Sequence, residues 1–185
     1  DGKIEITGNL HAMRTVRTQG AAIELASSDS NLIVRGTTKM ETAGVTGSDG
    51  LRNNGIASFT GAVAIDTANY TNSIRNTGTA TFADNVTINA TNMDQSIWLT
   101  GGRLDVAKDL VATSIAGTAA RPGLGVNQSG GVLSVDGTAT ISTVNANAYG
   151  LSITAGVFES GGAASASAGP SVLLGAGSAI TTTGA

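Results

Sequence analysis

One stretch of the chain sets chemically capable side chains close together: Asp94, Asp105 and Asp109 surround Trp98, the single tryptophan, and Arg103. Paired carboxylates act as acid and as nucleophile or base in glycoside cleavage, and a neighbouring aromatic ring is a platform for a sugar. Against catalysis, the local alternation puts Asp105 on the solvent side of a strand and Asp109 at a polar corner, where charge is expected for solvation alone. No catalytic residue is therefore assigned. Trp98, Arg103, Asp105 and Asp109 stand as candidate glycan-binding residues.

Other chemistry is sparse. His11 is the one histidine, and nothing near it in sequence supplies a nucleophile or a metal shell, so it reads as a surface residue. With no cysteine, neither a disulfide framework nor a thiolate metal site can form. No metal or cofactor is expected, and no glycine-rich nonapeptide with calcium-binding aspartates occurs. Asn69, Asn85, Asn89 and Asn127 each begin an Asn-x-Ser/Thr triplet, which a chain rich in Asn and Thr produces by chance. Basic residues are scattered and outnumbered by acids, 10 to 13, and aromatics are 3%, which argues against nucleic acid as a partner. Thr79 and Thr81, with Thr138 and Thr140, form Thr-x-Thr pairs of the kind that bind ice. Arg103 and Asp105 in the intervening unit interrupt such an array.

The elements that would position these residues follow from a repeat. Gly55, Gly78, Gly102, Gly131 and Gly156 are spaced by 23, 24, 29 and 25 residues. Two residues after each stand Ala57, Ala80, Leu104, Leu133 and Phe158, and four after stand Phe59, Phe82, Val106, Val135 and Ser160. The eighth column holds Val63, Val86, Leu110, Ala139 and Ala164, and the tenth holds Ile65, Ile88, Ala112, Ile141 and Ala166. Between them the sixth column is Gly61, Asp84, Lys108, Gly137 and Gly162. Each unit is thus two short alternating strands around a polar corner. Tyr70 to Ile74, Ser96 to Leu99 and Leu151 to Ile153 supply a third side. A period of this length marks a stacked repeat, in which one unit's apolar face is covered only by its neighbours.

Composition agrees. Charged residues are 12% where an ordinary domain has about a quarter, and 26 residues are glycine. With so few large side chains, a thin core shared along a column is easier to fill than one thick core. Disorder would require low hydrophobicity and high net charge, whereas 41% of the chain is hydrophobic and the net charge is −3.

The expected fold is all-β: a parallel β-helix of about six or seven coils of 19–29 residues. Residues 1–50 read as irregular N-terminal coils, 51–166 as the regular repeats, and 167–185 as a Gly, Ala, Ser and Thr-rich coil or tail. In the first part Gly8 leads Leu10 and Ala12, Gly36 leads Thr38 and Met40, and both glycines are taken as unit starts. Gly44 to Gly50 reads as a loop, and Leu10 to Thr18 as a strand. After Arg121 only Asp136 and Glu159 are charged. That end is either hydrated through Ser, Thr and Asn or covered by another chain or by the next part of a longer protein. No apolar run is long enough to span a membrane. The chain opens at Asp1 without a signal peptide, which points to a processed or excised segment.

The units Asn76 to Phe82 and Ser129 to Ile141 resemble the passenger repeats of bacterial autotransporter and haemagglutinin-type adhesins. The strand, polar corner, strand cadence is also similar to the shafts of phage tail fibres. The first resemblance implies a right-handed parallel β-helix, secreted to the bacterial surface or beyond it. The function expected is structural and non-catalytic: a surface adhesin, fibre shaft or filament subunit. Its partners would be further copies, neighbouring parts of a longer chain, or a cell-surface glycan or protein receptor. The alternative is a tail-fibre or tailspike module that binds or cleaves surface polysaccharide. Since no amphipathic helix covers residues 1–8 or 161–185, both ends of the stack are expected to be open and to favour self-association.

Overall fold

A computed structural model of the chain describes residues 2–15, 20–42, 47–68, 72–92, 94–115, 124–144, 148–167, 172–176 and 178–182. These residues form 22 β-strands and no helix. The first coil is β1 (Gly2–Ile6), β2 (Leu10–Arg14) and β3 (Gly20–Leu25), and the second is β4 (Ser30–Val34), β5 (Thr38–Thr42) and β6 (Ser48–Asn53). The third is β7 (Ile56–Phe59), β8 (Val63–Ala68) and β9 (Asn72–Asn76), and the fourth β10 (Thr79–Phe82), β11 (Val86–Thr91) and β12 (Gln95–Leu99). Then come β13 (Arg103–Val106), β14 (Leu110–Ile115) and β15 (Leu124–Gln128), followed by β16 (Val132–Val135), β17 (Ala139–Thr143) and β18 (Leu151–Ile153). A seventh set is β19 (Gly156–Ser160), β20 (Ala164–Ser167) and β21 (Val172–Leu174), and β22 (Ser178–Thr182) starts another turn.

Each strand pairs in parallel with the strand three places on, so the chain winds through three sheets of eight, seven and seven strands. Sheet A begins with β1, sheet B with β2 and sheet C with β3. This is the parallel β-solenoid the repeat predicts. The outer faces of sheets A and B meet solvent, so most of their strands alternate and do not read as continuous apolar runs, whereas β6, β9 and β18 of sheet C carry consecutive buried residues. In β11 every second residue, Val86, Ile88 and Ala90, is buried, and Thr87, Asn89 and Thr91 between them are exposed.

The four apolar columns become four inward ladders. On sheet A, Leu32, Ala57, Ala80, Leu104, Leu133 and Phe158 follow one another in register. Beside them run Val34, Phe59, Phe82, Val106 and Val135. Phe59 and Phe82 stack with centroids 5.1 Å apart and planes within 8°. That distance is set by the strand spacing of about 4.8 Å. The ladders continue below residue 51: Ile4 pairs with Leu32, and Met40, wholly buried, lies in register with Ile65.

Here the phase of the first coils differs from the sequence reading. Leu10 and Thr38 align with Val63 and Val86, so Gly8 and Gly36 belong to the corner between sheets A and B with Gly61. They are not starts of sheet A strands. Both corners carry a glycine followed by alternating apolar residues, so cadence alone does not separate them. A second difference concerns Ser48, Asp49 and Gly50, which lie in β6 and not in a loop. The start of β6 packs so tightly against β8 and β9 that a Cβ on Gly50 would stand 2.7 Å from Ile65 Cγ2 and from the Ser73 carbonyl. Small residues mark a close approach there, not a turn.

The corner between sheets C and A has its own lock. Gly102 has φ +66°, a conformation that side chains disfavour. A Cβ there would meet the Gly78 carbonyl oxygen at 2.0 Å. Inside this corner runs a ladder of buried amides. Asn53 Nδ2 donates to Asn76 Oδ1 at 2.7 Å and to the Thr79 carbonyl at 3.0 Å. Asn76 Nδ2 in turn donates to the carbonyls of Gly78 and Arg103. Two coils further, Gln128 Nε2 does the same to Gly131 and Val157, each at 2.9 Å. The amides occupy the position held by Leu25, Leu99 and Ile153 in other coils and satisfy carbonyls that the bend turns inward.

Candidate functional site

The fold separates the sequence-predicted site residues. Trp98 sits half-buried on the outer face of sheet C, whereas Arg103 and Asp105 point outward from β13 on sheet A. Those two are brought together: Arg103 Nε donates to Asp105 Oδ2 at 2.8 Å, and this bond holds the guanidinium more basic than usual. Asp109 closes the corner between sheets A and B. Its Oδ1 accepts from the Thr138 amide at 2.8 Å, and its own amide donates to Asn85 Oδ1 at 3.2 Å. Asp94 lies just before β12, where its carbonyl accepts from the Leu124 amide. The carboxylates thus fall on two sheets and a corner, with Trp98 beside neither Asp105 nor Asp109.

Thr79 and Thr81 lie on sheet A, while Thr140 lies on sheet B in register with Val111. The Thr-x-Thr pairs are therefore on different faces. Of the Asn-x-Ser/Thr triplets, Asn85 is at a corner and exposed, Asn89 faces out from β11 and Asn127 from β15. Asn69 lies outside the described residues.

Sheet B carries a charged row that sequence proximity did not reveal. His11 Nε2 contacts Glu41 Oε2, Lys39 Nζ is 2.6 Å from Glu41 Oε1 and 3.8 Å from Asp66 Oδ2, and Asn89 donates to Asp66 at 2.9 Å. The Lys39 hydrogen bond, then that of His11, holds the Glu41 carboxyl below its ordinary range. On sheet A the hydrogen bond from Arg35 does the same to Glu5. At the corner, Lys108 does so to Asp84 from 2.8 Å. These ladders link one coil to the next. No described group of His, Asp and Glu could hold a metal ion.

The outer face of sheet C differs. Glu24, Arg52 and Arg75 stand in successive coils, and Trp98 and Asn127 continue the row. Arg52 is neutralised by Asp49 at 2.8 Å and Glu24 at 3.3 Å. Asp49 is 1% exposed and also accepts from the backbone amide and side chain of Asn72, each at 3.1 Å. Arg75 instead lies over Trp98, its guanidinium carbon 4.6 Å from the ring centroid. The two are 23 residues apart, one coil period, and that spacing was the available signal.

Among the described residues no helix is long and apolar enough to cross a membrane. No family's sequence model matches the chain, and no characterised protein or solved structure is significantly similar to it.

Proposed function

We propose that the chain is a structural, non-catalytic solenoid segment, a piece of an extracellular shaft or adhesin that stacks end to end and displays loops. The observation that carries this reading is the continuation of the inner ladders to open apolar mouths. At one end Ile4, Ile6, Leu10, Ala12, Ile23 and Leu25 line a cavity of about 400 Å³. At the other, Phe158, Ala164, Ala166, Val172 and Ile180 line one of about 160 Å³. Among the described residues the outermost strands of each sheet pair on one side only, which offers a template for further coils from another copy or a longer chain.

Connection lengths support display at one edge. Between sheets A and B every connection is three residues, from 7–9 to 161–163. Between sheets B and C the separation of strand ends ranges from three residues, from Ala68 to Asn72, to eight, from Ile115 to Leu124. Variation at one edge of a constant scaffold is the pattern of loops selected for contact.

Sedimentation velocity over a range of concentrations tests the association. Growth into longer particles is expected, and Ile4→Lys with Ile180→Asp should reduce it. A compact monomer at high concentration overturns the end-to-end reading. Depolymerisation of mixed polysaccharides by the chain, lost on replacing Asp94, Asp105 and Asp109, would instead establish the cleaving alternative.

A further inference from the structure

We propose that Arg75, held against Trp98 on the outer face of sheet C, binds the carboxylate of an acidic saccharide. It supplies a ligand class for the display role above, and its test does not depend on assembly.

Arginine presents five N–H donors in a planar fork that matches a carboxylate, and it accepts nothing. Among the described residues, Arg35, Arg52 and Arg103 each have a carboxylate partner: Glu5, Asp49 with Glu24, and Asp105. No described carboxylate pairs with Arg75. Its partner is the Trp98 ring, over which the guanidinium carbon stands 4.6 Å from the centroid, and Arg75 itself is half-buried, not enclosed. This cation–π contact restrains the guanidinium before a ligand arrives, so less side-chain freedom is lost on binding.

The neighbours of this pair select among anions. On the far side of Trp98, Asn127 Nδ2 donates to Gln95 Oε1 at 2.9 Å. That bond leaves Asn127 Oδ1 and Gln95 Nε2 as an acceptor and a donor for hydroxyl groups. Arg75, Trp98 and Asn127 are register partners on consecutive strands, spaced by about 4.8 Å per step. The row therefore offers one cation and one aromatic ring, followed by the Asn127 amide with the Gln95 amide bound to it. A ligand that matches it has one carboxylate with several hydroxyls nearby, as a hexuronate has. An acidic peptide would call for a second open cation, and Arg52, the next in the row, is already neutralised.

Trp98 is the only tryptophan, so its fluorescence reports the site directly. The chain is titrated with a galacturonate oligosaccharide at low salt, and the same titration is run with the methyl-esterified oligosaccharide and with polyglutamate. A saturable change with the acid sugar alone is expected, weakened by added salt. Arg75→Lys should weaken it several-fold because a point charge lacks the fork, and Arg75→Gln should abolish it while the β-sheet circular dichroism stays unchanged. The proposal is overturned by the absence of a saturable change in the wild-type chain. It is equally overturned by a response to the ester or to polyglutamate that equals the response to the acid. If Arg75→Gln does not fold, the comparison of acid with ester on the wild-type chain still decides. The titration reads one coil row and sedimentation reads the ends, so failure of either is recognised separately.

Discussion

Replacing Phe82 with alanine tests the inner ladder where it is most tightly specified. Phe82 is wholly buried, Phe59 beside it is 1% exposed, and the two rings stack at 5.1 Å. Val34 lies beyond Phe59 and Val106 beyond Phe82, each held in register by a strand of sheet A. Collapse around the lost ring would need two strands to leave their hydrogen-bonded spacing, so the cavity should persist. Truncation of a buried phenylalanine costs roughly 3–5 kcal/mol, and a stacked pair adds about 0.5–1.5 kcal/mol beyond area burial. A value near the upper half, about 4 kcal/mol, is expected. With a urea slope of about 2 kcal/mol per molar, that moves the unfolding midpoint down by about 2 M. Circular dichroism and Trp98 fluorescence, followed together, report whether the stack still unfolds as one unit, since coils contact only their neighbours. Thr81→Ala, on the exposed face of the same strand, should stay within about 0.5 kcal/mol. A loss below about 1 kcal/mol for Phe82→Ala, with an unchanged slope, would refute the argument that the strand ladder prevents collapse.

Three further outcomes follow from the corners and ladders. Gly102→Ala should lower the melting temperature, since φ +66° costs a side chain roughly 1–2 kcal/mol and the added Cβ meets a carbonyl, whereas Gly8→Ala, with nothing within 4 Å, should be nearly neutral. Asn76→Ala should cost about 1–3 kcal/mol in urea unfolding, because Asn53 loses one of its two acceptors and the carbonyls of Gly78 and Arg103 lose their side-chain donor. Glu5, Glu41 and Asp84 have folded-state pKa values depressed by Arg35, by Lys39 then His11, and by Lys108. Their stabilisation is present above the unfolded carboxyl values and is lost as pH falls through the lower folded ones. The urea midpoint should therefore drop below about pH 4, and Glu5→Gln, Glu41→Gln and Asp84→Asn together should flatten the drop.

The inner face of the solenoid was legible because a residue such as Ile88 must be apolar in whichever coil it sits. The column from Ala57 to Phe158 could be read without knowing the neighbours. The phase of the first coils was not, since Gly36-Thr37-Thr38-Lys39-Met40 and Gly55-Ile56-Ala57-Ser58-Phe59 carry the same cadence at different corners. The buried amides were hidden because Asn53 and Asn76 look like turn residues, although each stands two places before a corner glycine and they are 23 apart. On the outer surface, distance along the chain is a poor guide to neighbours. Nearness in sequence groups Trp98 with Arg103, Asp105 and Asp109. In a stack of coils, lateral neighbours are one period away, which pairs Trp98 with Arg75 and Asp105 with Thr81.

The stacking of coils is most directly tested by the proximity of outer residues one period apart. The chain has no cysteine, so cysteines introduced at Ser58 and Thr81 would be the sole sites for a pyrene maleimide label. These positions are register partners on β7 and β10, about 4.8 Å apart. Strong excimer emission is predicted for that pair in dilute native solution and its loss on unfolding in urea. A pair at Ser58 and Thr181, five strands apart and so about 24 Å, should give monomer emission only. Monomer emission from the first pair, or excimer from the second, would contradict the solenoid.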